Sequence, residues 1–372
     1  MKMFIVGIIS MIILLVIGSG FVFIFNKPAL EIPADGSLDE ESYSNALYPI
    51  RVNGKWGYMN NRKEIVIDCK FEKAEDFNDG FAIVERRVTD KGEYSTRTLI
   101  GFIDEKGMML TDFRYDLAFP FSDEMALVMK DEKYGYIDKT GKEVIPLQYE
   151  DGAMFSEGLA AVKVNGKNGF INKQGEMVIK PAFERACHVS EFSDGLAPVY
   201  TTVNDGPAGY IDPAGKMVIP AKYAFVGRFS EGVAMVRPLG SIDYGYINKK
   251  GEWVIEPQFD MSLGFHEGVA TIKERNADGS VSFGIIDKTG KKIAQHMKYN
   301  FVGIFREGLA AFETKDFTWG YIDRSGKEVI PARYASSKFF VDGLARMEIG
   351  SLFTKLKITY INKKGQIVWK EK

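Results

Sequence analysis

The sequence predicts an all-β protein made of tandem copies of one small unit. The expected arrangement is a row of three-stranded β-meanders stacked as an open, curved, solenoid-like array and preceded by one N-terminal transmembrane helix. Three observations carry this expectation: one frame of residues recurs in register along the chain, 38 of the 372 residues are Gly, and 13% are aromatic. Glycine serves turns and aromatic residues favour strands, so many short strands are expected. With 45% hydrophobic and 26% charged residues the chain is globular in composition. Lys plus Arg is 48 against 50 for Asp plus Glu, a net charge of -2. That balance lacks the basic excess of a nucleic-acid-binding domain, and no nucleic-acid partner is expected. Two cysteines exclude a cysteine-based zinc module and a disulfide-stapled scaffold, and three histidines leave little room for imidazole chemistry.

Residues 1–3 read as a short cytoplasmic end. Phe4 to Phe25 is 22 residues without a charge. As a helix it runs roughly 33 Å, about the thickness of a bilayer hydrocarbon core. An N-terminal signal-anchor leaves the short end inside and exports the rest. The expected location is therefore the cell membrane, single-pass, with the repeats extracytoplasmic. The alternative is a cleaved signal peptide and a secreted product. Gly18-Ser19-Gly20 is small enough to be cut, but the apolar run resumes through Phe25 and ends without an A-x-A-like site. Residues 26–45 are polar and acidic, with two prolines, and read as a linker. Residues 46–372 form the repeat domain, of about eight to nine units.

Each unit is anchored on a glycine that usually follows an aromatic residue. These glycines are Gly57, Gly101, Gly135, Gly169, Gly209, Gly245, Gly284 and Gly320, with Thr359 in a ninth, truncated copy, and neighbours lie 34 to 44 residues apart. A second anchor closes an F-x-[DE]-G element at Gly80, Gly158, Gly195, Gly232, Gly268, Gly308 and Gly343, with Glu124 in the second copy. The distance between the two anchors is 23 residues in six of eight copies. Length variation thus falls after the second anchor, as in a rigid unit with one tolerant loop.

Within one unit, Lys133–Ile137 reads as a strand and Asp138-Lys139-Thr140-Gly141 as a type I turn closed by a glycine at positive φ. Asp or Asn opens this turn in all nine copies: Asn60, Asp104, Asp138, Asn172, Asp212, Asn248, Asp287, Asp323 and Asn362. Glu143–Ile145 returns as a strand, and Pro146 ends it because proline cannot continue a ladder. A crossover then carries two fixed aromatics. The first is Phe71, Tyr115, Tyr149, Phe183, Tyr223, Phe259, Tyr299 or Tyr334; the second is Phe77, Phe121, Phe155, Phe192, Phe229, Phe265, Phe305 or Phe340. Leu159–Val162 is a third strand, and Asn165-Gly166 is a type I′ hairpin signal. One meander cannot bury its aromatic face alone, so the aromatic rows are expected to form a continuous core between stacked units.

The frame [WYF]-G-[YF]-I-[DN]-x-x-G-x-x-V-I-P…[YF]…F-x-[DE]-G-L-A, with Trp56-Gly57 and Trp319-Gly320, resembles the bacterial WG-repeat (KWG-type) family from about Arg51 to Trp369. Two copies hold the name-giving tryptophan; Tyr134, Tyr244 and Phe283 keep an aromatic, and Ile100, Asn168 and Ala208 do not. The resemblance implies a non-catalytic repeat module. The first meander (48 to 67) and the last (344 to 369) both look complete, so neither needs a strand from the other end. An open stack of about nine units is therefore expected, with a propeller-like closed ring as the alternative.

The most regular polar feature is the acid before the second anchor: Asp79, Asp123, Glu157, Asp194, Glu231, Glu267, Glu307 and Asp342. One carboxylate per unit is too few for calcium, which takes six to eight oxygens, and a turn acceptor for backbone N–H groups explains the row better. The [DN]-x-x-G turns lack the spacing of a calcium loop. His188, His266 and His296 fall at unrelated positions. Cys69 and Cys187 lie about three units apart, too far for a bridge in a linear stack. No residue is nominated as catalytic, cofactor-binding or metal-ligating, no cofactor is expected, and no enzymatic activity is expected. The long tips Arg86–Leu99, Val203–Pro207, Asn276–Ser282 and Ile349–Leu356 distinguish the copies and are the candidate recognition surface. The function expected is a membrane-anchored, extracytoplasmic, non-catalytic scaffold that binds a protein or a cell-envelope polymer. A structural spacer without a tight ligand is the alternative, and an envelope-modifying enzyme comes last.

Overall fold

The computed structural model describes residues 46–89, 96–184, 191–202, 206–350 and 356–372. These residues contain strands, turns and bridges and no helix. The apolar run Phe4–Phe25 and the linker 26–45 lie outside them. Among the described residues no helix is long and apolar enough to cross a membrane.

Eight small antiparallel sheets follow one another along the chain, spanning 48–71, 73–104, 117–149, 151–183, 197–259, 261–297, 301–334 and 336–370. The fifth has six strands and holds two repeats, because the 14-residue strand Met217–Ser230 serves both. Nine repeats thus make eight sheets, and the sheets are the blades of a closed, β-propeller-like ring.

Repeat four shows how the sequence builds a unit. Strand Leu159–Val164 turns at Asn165-Gly166, whose φ values of 50° and 77° are those of a type I′ turn. Strand Lys167–Asn172 returns, and Met177–Phe183 pairs with it through two irregularities, a bulge between Asn168 and Phe170, where the anchor Gly169 sits, and a second between Phe170 and Ile171. The crossover expected to be a plain connection forms a fourth, two-residue strand, Asp151–Gly152, beside Leu159–Val164. The [DN]-x-x-G turn forms as read. In repeat three the Gly141 N–H donates to the Asp138 carbonyl at 2.9 Å. The Asp138 carboxylate accepts the N–H groups of Thr140 and Lys142 at 2.8 and 3.2 Å. All nine copies carry this side-chain pair of bonds.

The bulge explains the anchor glycine. A Cβ at Gly135 would sit 2.6 Å from the Ile145 carbonyl oxygen and 2.8 Å from Pro146 backbone atoms. Only a residue without Cβ lets that carbonyl in. In the ninth repeat Thr359 meets the same problem differently: its hydroxyl donates to the Trp369 carbonyl at 2.8 Å.

The core lies between sheets, as the aromatic rows predicted. The residue after the anchor glycine meets the second fixed aromatic edge-on in seven repeats, from Tyr58–Phe77 at 4.7 Å to Tyr321–Phe340 at 4.8 Å. Edge-to-face geometry at this separation adds to the burial of both rings. One cluster joins Tyr136 and Ile145 of repeat three to Phe155, Val162 and Ile171 of repeat four. Another joins Tyr48, Ile50 and Met59 of repeat one to Ile358 and Tyr360 of repeat nine.

That last cluster overturns the expected open array. Among the described residues the ends meet without exchanging a strand, so the completeness of both terminal meanders does not oppose closure. The Tyr360 hydroxyl donates to the Pro49 carbonyl at 2.8 Å, and the Tyr48 hydroxyl donates to the Asp342 carbonyl at 2.9 Å. Arg51 grips the Glu371 carboxylate through Nε at 2.9 Å and Nη2 at 2.8 Å, and also reaches the Leu356 carbonyl. Tyr48 stands where the other eight repeats hold a buried alanine, and its ring meets Tyr360 edge-on at 5.6 Å. Side chains of the two end repeats supply what repeat-to-repeat packing supplies elsewhere.

Candidate functional site

Strand direction gives the ring two unlike rims. In every complete repeat the turn that carries the acid before the second anchor and the [DN]-x-x-G turn share one end of the meander, and the hairpin tips lie at the other.

The turn rim holds the acidic row, and its carboxylates are committed to the fold. Each sits in the left-handed region, φ 48° to 55°. The acceptor role is as expected, but the partner lies one repeat further on. Asp123, Glu157, Asp194, Glu231, Glu267 and Glu307 accept the glycine N–H of Gly158, Gly195, Gly232, Gly268, Gly308 and Gly343, at 2.5 to 3.2 Å. A basic residue of the next [DN]-x-x-G turn then covers the carboxylate. Lys173 lies 2.7 Å from Asp123, Lys288 2.9 Å from Glu231, Arg324 2.8 Å from Glu267 and Lys363 3.0 Å from Glu307. Burial pushes the Glu231 carboxyl up, but Lys288 and the Gly268 N–H outweigh it and hold it below the ordinary carboxylate value. Serines of the same turns add a second link: Ser122, Ser156, Ser193 and Ser230 donate to Phe155, Phe192, Phe229 and Phe265 carbonyls at 2.6 to 2.8 Å.

The other chemically suggestive residues do not converge. His266 is pushed down by burial and by Arg306, against the opposing pull of Glu231 and Glu267. His296 is exposed in a different repeat, and His188 and Cys187 lie outside the described residues. Cys69 is a free, half-buried thiol. Among the described residues no group of three or more His, Cys, Asp or Glu side chains could hold a metal ion.

The tip rim is where repeats differ. Parts of three tips (90–95, 203–205 and 351–355) lie outside the described residues. The tips of repeats six, seven and eight carry exposed apolar side chains: Leu239 (49%), Ile242 (66%), Val281 (50%) and Phe317 (71%). Phe317 also has φ 57°, a conformation that bulky residues rarely take. The Phe317 N–H donates to the Thr314 carbonyl at 3.0 Å to close the turn, while its ring stays exposed. The sequence offered a signal for it, since the tight tips of other repeats turn on small or polar residues, as at Asn53-Gly54, Asp131-Glu132 and Asn165-Gly166.

At the seam the structure gathers residues that sequence reasoning passed over. Arg51 and Arg346 lie on the Trp56 ring at 5.7 and 5.5 Å, and Arg346 lies 3.9 Å from Asp76. Charged residues a whole chain apart carry no mutual signal in the sequence until the ring is known to close.

This architecture defines a repeat-built β-propeller whose sheets are held together by turn-to-turn bonds. The chain belongs to the family of WG containing repeat proteins. Its repeats match residues 56–87, 100–134, 134–167, 169–201, 209–237, 244–276, 283–316 and 319–353. No curated protein matches the chain. Among solved structures it is similar to BamB from Moraxella catarrhalis, at 11% identity and a TM-score of 0.42, over 86% of this chain and 94% of that one. It is also similar to Saccharomyces cerevisiae Sqt1, at 10% identity and a TM-score of 0.42, over 87% and 95%.

Proposed function

We propose that this protein is a non-catalytic binding scaffold, held at the cell membrane by Phe4–Phe25, whose tip rim recognises a protein or envelope polymer outside the cytoplasm. The observation that carries this reading is the division of labour between the rims. The turn rim spends its regular polar groups on joining repeats. The tip rim varies, and in three consecutive repeats it exposes large apolar side chains that the fold does not use. Apolar side chains presented together on a rigid frame suit a protein partner. Among the described residues no group of three or more His, Cys, Asp or Glu side chains could hold a metal ion.

The test compares affinity capture by the full chain with that by Phe317→Ser/Ile242→Ser. A partner retained by the parent and lost from the double variant, but kept by a turn-rim variant such as Lys142→Ser, supports the reading. A partner set indifferent to the tips removes it and favours the spacer. Carbonate extraction and protease protection test the anchor separately: the chain is expected in the pellet, with its repeats cut only from the outside.

A further inference from the structure

Two hairpin tips of the ring have the same sequence, Val52-Asn53-Gly54-Lys55 in the first repeat and Val164-Asn165-Gly166-Lys167 in the fourth. They also share one geometry. Asn53 and Gly54 have φ values of 51° and 78°, and Asn165 and Gly166 have 50° and 77°, so both are type I′ turns. Val52 stands opposite Lys55, and Val164 opposite Lys167, in their ladders. All four turn residues are exposed. The lysines match as well. Lys55 pairs with Glu72 and Lys167 with Glu184, and each lysine side chain is 45% exposed.

One contact separates them. The Gly166 N–H donates to the Glu150 carboxylate at 3.0 Å. A related contact guards the tip of repeat three, where Asp116 accepts the Asp131 N–H at 2.9 Å. Among the described residues the Gly54 N–H meets no acceptor.

Asparagine followed by glycine is chemically labile, because a residue without Cβ leaves its backbone nitrogen unhindered. That nitrogen attacks the asparagine side-chain carbonyl carbon. A new C–N bond forms, and the bond to the side-chain amide nitrogen breaks with loss of ammonia. Water then opens the cyclic imide to aspartate, or to isoaspartate, in which the main chain runs through the side chain. The net change is one water taken up and one ammonia released, and nothing is oxidised or reduced. The attacking nitrogen gives up its proton and passes through an anionic form. A carboxylate on that N–H opposes the anion by like charge, and its hydrogen bond must break first.

We propose that Asn53 is a site of spontaneous deamidation, and that Glu150 withholds the same reaction from Asn165. Sequence, turn type and exposure are equal at the two tips, which leaves the Glu150 contact to decide the rate. A charge-assisted hydrogen bond that must be given up first slows the attack by about 10- to 100-fold. The position of Asn53 has a consequence for the ring. It follows Arg51 by two residues, and the Arg51 guanidinium holds Glu371 and lies on the Trp56 ring. Isoaspartate lengthens the turn backbone by one carbon, so the ladder that sets Val52 opposite Lys55 and Arg51 opposite Trp56 loses its register. Deamidation at Asn53 thereby loosens the junction between the chain's two ends.

Ageing the full chain in mildly alkaline buffer tests this, with peptide mass spectrometry following aspartate and isoaspartate at both positions. Asn53 is expected to convert about 10- to 100-fold faster than Asn165. Glu150→Ala is expected to speed conversion of Asn165 by about tenfold or more and to leave Asn53 unchanged. In the aged chain, amides of 48–52 and 357–362 are expected to exchange about tenfold faster than in fresh protein, while 159–164 keep their protection. Asn53→Gly, which suits the turn and has no side-chain amide to lose, is expected to abolish that change. Equal conversion of the two asparagines, faster conversion of Asn165, or indifference of Asn165 to Glu150→Ala overturns the proposal. Unchanged exchange at 48–52 and 357–362 in chains converted at Asn53 overturns the link to ring closure.

Discussion

Glu371→Ala is expected to open the ring at its seam while leaving the other junctions closed. The Glu371 carboxylate accepts Arg51 Nε and Nη2 and the Ile358 N–H, at 2.8 to 3.0 Å, and Glu371 is 7% exposed. Breaking a fully buried ion pair costs about 3–5 kcal/mol, because a charge is left behind without its partner. The Arg51 side chain is 19% exposed and keeps the Leu356 carbonyl, which reduces the loss. About 2–4 kcal/mol remains, or roughly a 30- to 900-fold rise in the population of the open seam. Amide exchange reads this directly. Residues 48–52 and 357–362 are expected to lose protection by that factor, and 159–164 and 167–172 to keep theirs. Glu72→Ala is the control: its partner Lys55 is 45% exposed and the pair is screened by solvent, so exchange is expected to stay as in the parent protein. Unchanged exchange at the seam, or an equal loss in every repeat, would refute the claim that this pair holds the ring shut.

Three further outcomes follow from the same geometry. Gly135→Ala forces a Cβ against the Ile145 carbonyl and is expected to destabilise the protein by about 1–3 kcal/mol in urea unfolding, where a surface Ala substitution changes little. Phe155→Ala removes a fully buried ring from the cluster of repeats three and four; about 3–5 kcal/mol is expected, read as a lower denaturation midpoint. Burial opposes ionisation of Asp138, but the Thr140 hydroxyl and the Thr140 and Lys142 N–H groups hold its carboxyl below the ordinary value. A lowered folded-state value gives stability that is present above about pH 4 and lost as the pH falls further. Asp138→Asn, which is what repeat four has in Asn172, is expected to leave the melting temperature at pH 7 unchanged and to remove part of the loss below pH 4.

Local structure was legible in the sequence because local chemistry dictates it. Asp138 and Gly141 specify their turn by a side-chain acceptor and a positive φ, and Asn165-Gly166 specifies a hairpin. The aromatic rows could be read as core because their spacing repeats. The acid row was read correctly as turn acceptors, but its partners were not visible: Asp123 meets Gly158, 35 residues away, because neighbouring turns stack along one rim. The short strand Asp151–Gly152 was also missed, since two residues carry no period. Closure was the largest error. It depends on the rotation from each repeat to the next, which many packing contacts set together and no motif encodes. Tyr48 did hold a trace of it, as a large ring where eight other repeats have alanine.

Closure changes what the repeats can do energetically. In an open stack each unit leans on two neighbours except at the ends, and the ends fray first. In this ring every unit has two neighbours, and unfolding must begin by breaking a junction. Eight of the nine junctions join consecutive repeats through a covalent crossover, most of them with acid–glycine bonds, serine links and a shared aromatic core as well. Among the described residues the ninth joins the chain's two ends through the Arg51–Glu371 pair, the two tyrosine hydroxyls and the Tyr48–Tyr360 contact. Without a covalent crossover it is the junction where the ring is expected to open first. An event that loosened it would convert the closed ring into the open array that the repeat pattern alone would have allowed.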